Sequence, residues 1–153
     1  MTFGRHTKIG MRVITLLTEE GPYTAIIPQE KSSKLTWQPD EKLPFDTIKV
    51  KMLSHGYYRA TICFALTVSG GLWAACRRTS ALTPLNHDSP YKQINNYMYR
   101  QIETSCWELY AYTDSGVSVF SWDVTETDFQ VKFLKHYNDV TKIFSSNQNF
   151  ALN

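Results

Sequence analysis

The sequence predicts an α+β domain: an antiparallel β-sheet or sandwich of five to seven strands with one or two helices. Three observations carry this. Residues 45–68 read as two strands around a break: Ile48, Val50 and Met52 alternate with Thr47, Lys49 and Lys51, and Tyr58 to Val68 is almost wholly apolar. Cys106–Thr113 and Val117–Val124 flank Asp114-Ser115-Gly116, a hairpin turn with glycine at its left-handed position. Asp88-Ser89-Pro90 supplies a cap residue and a first-turn proline, and Tyr91, Ile94, Met98 and Ile102 follow at the spacing of one helical face.

In chain order, residues 1–10 form a short basic arm expected to be mobile. Met11 to Leu17 is aliphatic and β-branched, so a strand. Glu19-Glu20-Gly21-Pro22 is a turn, and Tyr23 to Ile27 is a second strand stopped by Pro28. Gln29 to Pro44 is polar, holds Pro39 and Pro44, and reads as a long loop with Leu35 and Trp37 as its anchors to the body. The 45–68 hairpin follows, broken at Ser54-His55-Gly56, with a second strand that suits burial on both faces. It is the expected centre of the core.

Ser69-Gly70-Gly71 breaks the chain again, and Leu72–Arg78 fits strand and helix alike. A helix is predicted over 90 to about 102. The Asp114 hairpin comes next, then a strand from Phe129 to Leu134 and a short helix from Lys135 to Phe144. A single helix over 129–145 is the competing pattern there. The domain is thus expected to run from 11 to 145, with a polar tail at 146–153.

The 153 residues suffice for one domain with a real core. At 42% hydrophobic and 20% charged the chain is not a disordered one. Nine tyrosines suit half-buried sheet faces, interfaces or an aromatic-rich core. Cys63, Cys76 and Cys106 are odd in number and widely spaced, which excludes a disulfide framework and a zinc motif and points to buried thiols in a reducing compartment. No apolar leader, membrane span or lipidation box is legible, so a cytoplasmic protein is expected.

The net charge of +2 hides a block pattern. Residues 47–102 hold seven basic residues against Asp88, a net of +6; residues 103–128 hold six acids and no lysine or arginine, a net of −6; residues 19–46 carry a net of −3. Either the blocks neutralise each other inside one fold, or they give the domain a positive and a negative face. A positive face would lie on phosphate-bearing surfaces, and the two together would favour contacts between copies.

No catalytic signature stands out. The Gly-x-Ser-x-Gly elbow, the phosphate-cradling glycine patterns and His-Glu-x-x-His are absent, and His6, His55, His87 and His136 are isolated. No spacing singles out a Cys–His pair. Lys49, Lys51, Tyr57, Tyr58 and Arg59 do mix cations with rings, as stacking and phosphate neutralisation of RNA require. Arg5, Lys8, Arg12 and the Arg77-Arg78 pair offer further cations to anionic lipid, with Phe3 or Trp73 to insert nearby.

One family layout is similar. The Asp40-Glu41-Lys42-Leu43 loop leads into the Phe45–Met52 strand; an apolar strand, the Ser89-Pro90-Tyr91-Lys92 helix start, the Tyr97-Met98-Tyr99-Arg100 run and a further hairpin follow. Over residues 11–125 this resembles the small matrix proteins of negative-strand RNA viruses, bornavirus-like or rhabdovirus-like. The chain lacks that family's Pro-Pro-x-Tyr and Pro-Thr-Ala-Pro motifs and a strongly basic tail. The resemblance implies a virion structural protein of the host cytoplasm that self-associates, binds the inner face of a membrane and contacts a nucleocapsid.

The expected function is therefore non-enzymatic: a matrix-like assembly protein that forms homo-oligomers and binds an anionic surface, with no cofactor and no metal. Arg5, Lys8, Lys49, Lys51, Arg59, Arg77 and Arg78 are the candidate anion-binding residues, and Tyr57 and Tyr58 the candidate stacking residues. An RNA-binding viral accessory protein is the first alternative. A small hydrolase whose site assembles only in space is the second.

Overall fold

A computed structural model describes residues 2–6, 11–27, 34–55, 60–78, 90–125, 128–145 and 151–152. Three four-stranded antiparallel sheets make up the body. The first holds β1 (Thr2–His6), β2 (Met11–Thr18), β3 (Gly21–Ile27) and β4 (Gln38–Pro39); the central one holds β5 (Thr47–His55), β6 (Ala60–Thr67), β7 (Leu72–Arg78) and β8 (Lys92–Gln93). The third holds β9 (Gln101–Thr104), β10 (Leu109–Tyr112), β11 (Gly116–Val124) and β12 (Phe129–Asn138). Each sheet is a meander, so neighbours in space are neighbours in sequence. A small ladder pairs β13 (Phe144–Ser145) with β14 (Ala151–Leu152).

The central sheet lies between the other two, and β6 shows why. All eight of its residues are buried. Its even-numbered side chains, Ile62, Phe64 and Leu66, pack with Ile102, Leu109, Ala111 and Phe120 of the third sheet. Its odd-numbered Cys63 and Ala65 pack the other way, with Val50, Met52, Leu43 and Leu17. A strand with two buried faces has no polar side to show, which is why its sequence runs apolar without alternation. β5 has one such face, and its lysines alternate with Val50 and Met52 accordingly.

The domain is all-β, not α+β: among the described residues there is no helix. The predicted helix over 90–102 is an extended segment that adds β8 to the central sheet and β9 to the third. Its backbone donors bond across to other segments: Ile94 N–H to the Leu72 carbonyl at 2.8 Å, and Tyr99 N–H to the Gly70 carbonyl at 2.9 Å. Asn95 accepts from the Tyr97 N–H at 3.0 Å, a local turn that competes with helix. The side chains aligned by helical spacing diverge: Tyr91 packs on one face of the central sheet, Ile94 on the other, and Met98 points to solvent.

The predicted helix over 135–144 is likewise overturned. β12 continues as strand to Asn138, with a register shift opposite Val119 and Phe120 that leaves Leu134 as an extra residue. That bulge reverses the alternation after Phe133, and the reversal imitates a helical period in the sequence. Asp139 then turns the chain with φ of 62°.

Other expectations fare differently. The two 45–68 strands, the strands at 11–17 and 23–27 and the Asp114 hairpin are present, and Leu72–Arg78 is a strand. Gly116 is required at that hairpin: its φ is +155°, and a Cβ there would run into the Tyr137 carbonyl oxygen. Thr2–His6, expected as part of an arm, pairs with β2. Ser54-His55 belongs to β5; residues 56–59, and most of the tail, lie outside the described residues.

Candidate functional site

Strand alternation decides where the candidate cations go. Lys49 and Lys51 share the face of β5 that looks toward β9, where their ammonium groups lie 3.3 and 3.5 Å from the two carboxylate oxygens of Glu103. Gln101 Nε2 adds a hydrogen bond to Glu103 at 2.9 Å. Partial burial pushes the Glu103 carboxyl up, but the Gln101 hydrogen bond and the two lysines outweigh it and hold the group below its usual range.

Arg77 sits on the opposite face of the central sheet and is 6% exposed. Its Nη2 donates to Asp40 Oδ1 at 2.8 Å, and Thr24 Oγ1 donates to Asp40 Oδ2 at 2.7 Å. The guanidinium lies 5.8 Å from the centre of the Tyr91 ring. Its Nε has no partner among the described residues. This is a weld between the first and central sheets, not a surface cation. The expected cationic face therefore does not assemble from Lys49, Lys51 and Arg77, each already matched with a carboxylate of its own chain. Arg5 stands opposite Arg12 in the β1–β2 ladder, and Arg78 ends β7 opposite Ala60. Lys8, Tyr57, Tyr58 and Arg59 lie outside the described residues.

Of the three cysteines expected to be buried, Cys63 and Cys76 are, but Cys106, between β9 and β10, is exposed. Burial pushes the Cys63 thiol up to about 12, so it holds its proton and is a poor nucleophile at neutral pH. Among the described residues His136 meets two serines that sequence spacing does not single out: on β12 it lies opposite Ser118 on β11, with Nδ1 2.9 Å from Ser118 Oγ and Nε2 3.4 Å from Ser115 Oγ. No carboxylate orients this imidazole among the bonds described, and none of the described hollows reaches it. No cluster of three His, Cys, Asp or Glu side chains fit to hold a metal is found among the described residues.

Two surface features remain. The first is apolar. Val68 follows β6 and is 69% exposed; its N–H bonds to the Asp46 carbonyl, which brings the start of β5 beside it. Ile48, the extra residue at a bulge in β5, is 54% exposed. Gly70 holds the 97–99 segment against the same turn, where Tyr97 and Met98 are 73% and 72% exposed. Four large apolar side chains thus crowd one end of the central sheet with no cover. A grouping of this kind marks a contact site more than a scattered exposed leucine does. The sequence hides it, because Val68 continues the apolar run of β6 and Met98 falls at a helical spacing with Tyr91 and Ile94. The one available signal was the position of Val68 directly before the Ser69-Gly70 turn.

The second is a pair of adjoining hollows along the first sheet. One, of about 530 Å³, runs between the β2–β3 turn and the 39–45 segment, with Trp73 in its wall. The other, of about 490 Å³, is lined by Leu16, Thr18, Glu19, Glu20, Tyr23 and Trp37. They share Glu20 and Tyr23.

Comparison with protein-family models, with curated proteins and with solved structures finds no match to this chain. None of these comparisons bears on the likeness to viral matrix proteins, and Pro90 to Lys92, the described part of the helix start in that layout, is not helical.

Proposed function

We propose that this chain is a non-catalytic assembly protein that acts by contact, and that its principal contact is with a second copy through the Ile48–Val68–Met98 end of the central sheet. The observation that carries the reading is the exposure of Ile48, Val68, Tyr97 and Met98 at one end of the central sheet. The charges around it favour protein over anionic lipid. Lys49 and Lys51 are engaged by Glu103, Arg100 lies 3.3 Å from Asp114, and Asp46 is exposed. Such a rim shows no excess of cations to draw phosphate, and it does not repel its own likeness.

The magnitudes fit a weak, reversible association. Covering four side chains on each of two copies returns about 1–2 kcal/mol apiece. Roughly 4–15 kcal/mol of that is consumed by lost freedom on association. The test is static light scattering over a dilution series, with Val68→Lys/Met98→Lys beside the natural chain. Concentration-dependent dimers in the natural chain and monomers in the variant support the reading. A natural chain that stays monomeric at millimolar concentration overturns it. So does equal dimerisation of the variant, or flotation with anionic vesicles that the double variant does not weaken.

A further inference from the structure

The hollows along the first sheet have the composition of a peptide groove. Tyr23, Phe45, Trp73, Pro22, Pro39 and Pro44 wall the larger one, and Tyr23 and Trp37 continue into the smaller. Phe45 is 72% exposed, with one edge of its ring against Gly21, so most of the ring faces outward. The surface is open rather than enclosed, which leaves room for an extended chain to lie across both hollows. Rings and prolines present flat, rigid faces that an extended polyproline-type segment covers at little entropic cost.

The charge at the rim selects among such segments. Glu19, Glu20 and Glu41 are exposed there. None of the three is in an ion pair among the described residues, and Glu20 has only the Tyr23 hydroxyl at 3.5 Å. Asp40 also lines the groove, but its oxygens are occupied by Arg77, Thr24 and the Lys42 N–H. Lys42 is the single cation in the lining. Carboxylates beside tyrosine and tryptophan faces favour a guanidinium or ammonium, which gains from the ring and from the carboxylate together.

We propose that this groove binds an extended, proline-containing segment of a partner protein that carries arginine or lysine, with the cationic side chains at Glu19, Glu20 and Glu41 and the prolines on Tyr23, Phe45 and Trp73. The groove shares no lining residue with the Val68 end, although Phe45 adjoins Asp46 there, and the proposal does not depend on self-association.

A fluorescently labelled ten-residue peptide of alternating proline and arginine is the probe, read by anisotropy against the full chain. Two controls replace arginine by glutamate, or proline by glycine. The expected result is saturable binding of the Pro-Arg peptide that weakens with added salt and weakens at least tenfold in Glu20→Lys/Glu41→Lys and in Phe45→Ala. All three positions lie at the surface, and circular dichroism verifies that the variants fold. Absence of binding at millimolar peptide overturns the proposal. Equal binding of either control peptide does so too, as does an affinity that neither variant changes.

Discussion

The interior of the central sheet and its Val68 end obey opposite rules. Around β6 apolar residues interlock on one face, and on the other Arg77, the one buried cation among the described residues, meets Asp40. At the Val68 end, four apolar side chains as large as those of the core are more than half exposed. Failure to bury is not the explanation at Val68, because β6, which it directly follows, buries all eight of its residues. The difference separates residues that make the fold from residues that the fold presents. Substitutions in the two regions should divide between stability and association.

The largest effects belong to the interior. Asp40→Ala leaves Arg77 charged, buried and alone, and should lower unfolding free energy by about 3–5 kcal/mol in chemical denaturation. The paired change Arg77→Met/Asp40→Leu should recover much of that loss, since the cost lies in the unmatched charge. Phe64→Ala, on the apolar face, should cost about 3–5 kcal/mol through the cavity it leaves beside Trp122 and Leu109. If Asp40→Ala is mild, the weld between the first and central sheets is not what holds them.

Smaller effects sharpen the same contrast. The folded Cys63 thiol keeps its proton to about 12, whereas an exposed thiol releases it near 9. The unfolded chain therefore loses that proton first as pH rises. The Cys63 contribution is whole below pH 9 and falls between 9 and 12. Denaturation of the natural chain should steepen against pH over that window relative to Cys63→Ala, and parallel curves would refute the burial argument. Glu103→Gln acts at the half-exposed bridge, so its effect should stay below about 1 kcal/mol and shrink with salt. Its sign is opposite in pH: the lowered carboxyl helps above its unfolded value and loses that help as pH falls through the folded one. Val68→Lys should change stability by no more than about 0.5 kcal/mol.

The sheets were legible where a local rule met no rival. Unbroken apolarity marked β6, alternation marked β5, and Asp114-Ser115-Gly116 marked the third-sheet hairpin. Legibility failed where a period arose for another reason. Tyr91, Ile94 and Met98 share a spacing yet contact three different environments, because the Leu72 and Gly70 carbonyls capture the segment as extended chain. The Leu134 bulge disguised the end of β12 as helix. The charge blocks were visible, but pairing was not: Lys49 finds Glu103, and Arg77 finds Asp40, across 54 and 37 residues of sequence. The apolar end and the aromatic groove are gathered from separate turns, so no single stretch announces either.

Light scattering of the natural chain and of Val68→Lys/Met98→Lys, each from micromolar to millimolar concentration, bears most directly on the claim that this protein works through its uncovered apolar end. The account predicts a monomer–dimer equilibrium that the double variant abolishes while its denaturation midpoint stays unchanged. A single mass at every concentration for both chains, or a variant that unfolds earlier, would contradict it.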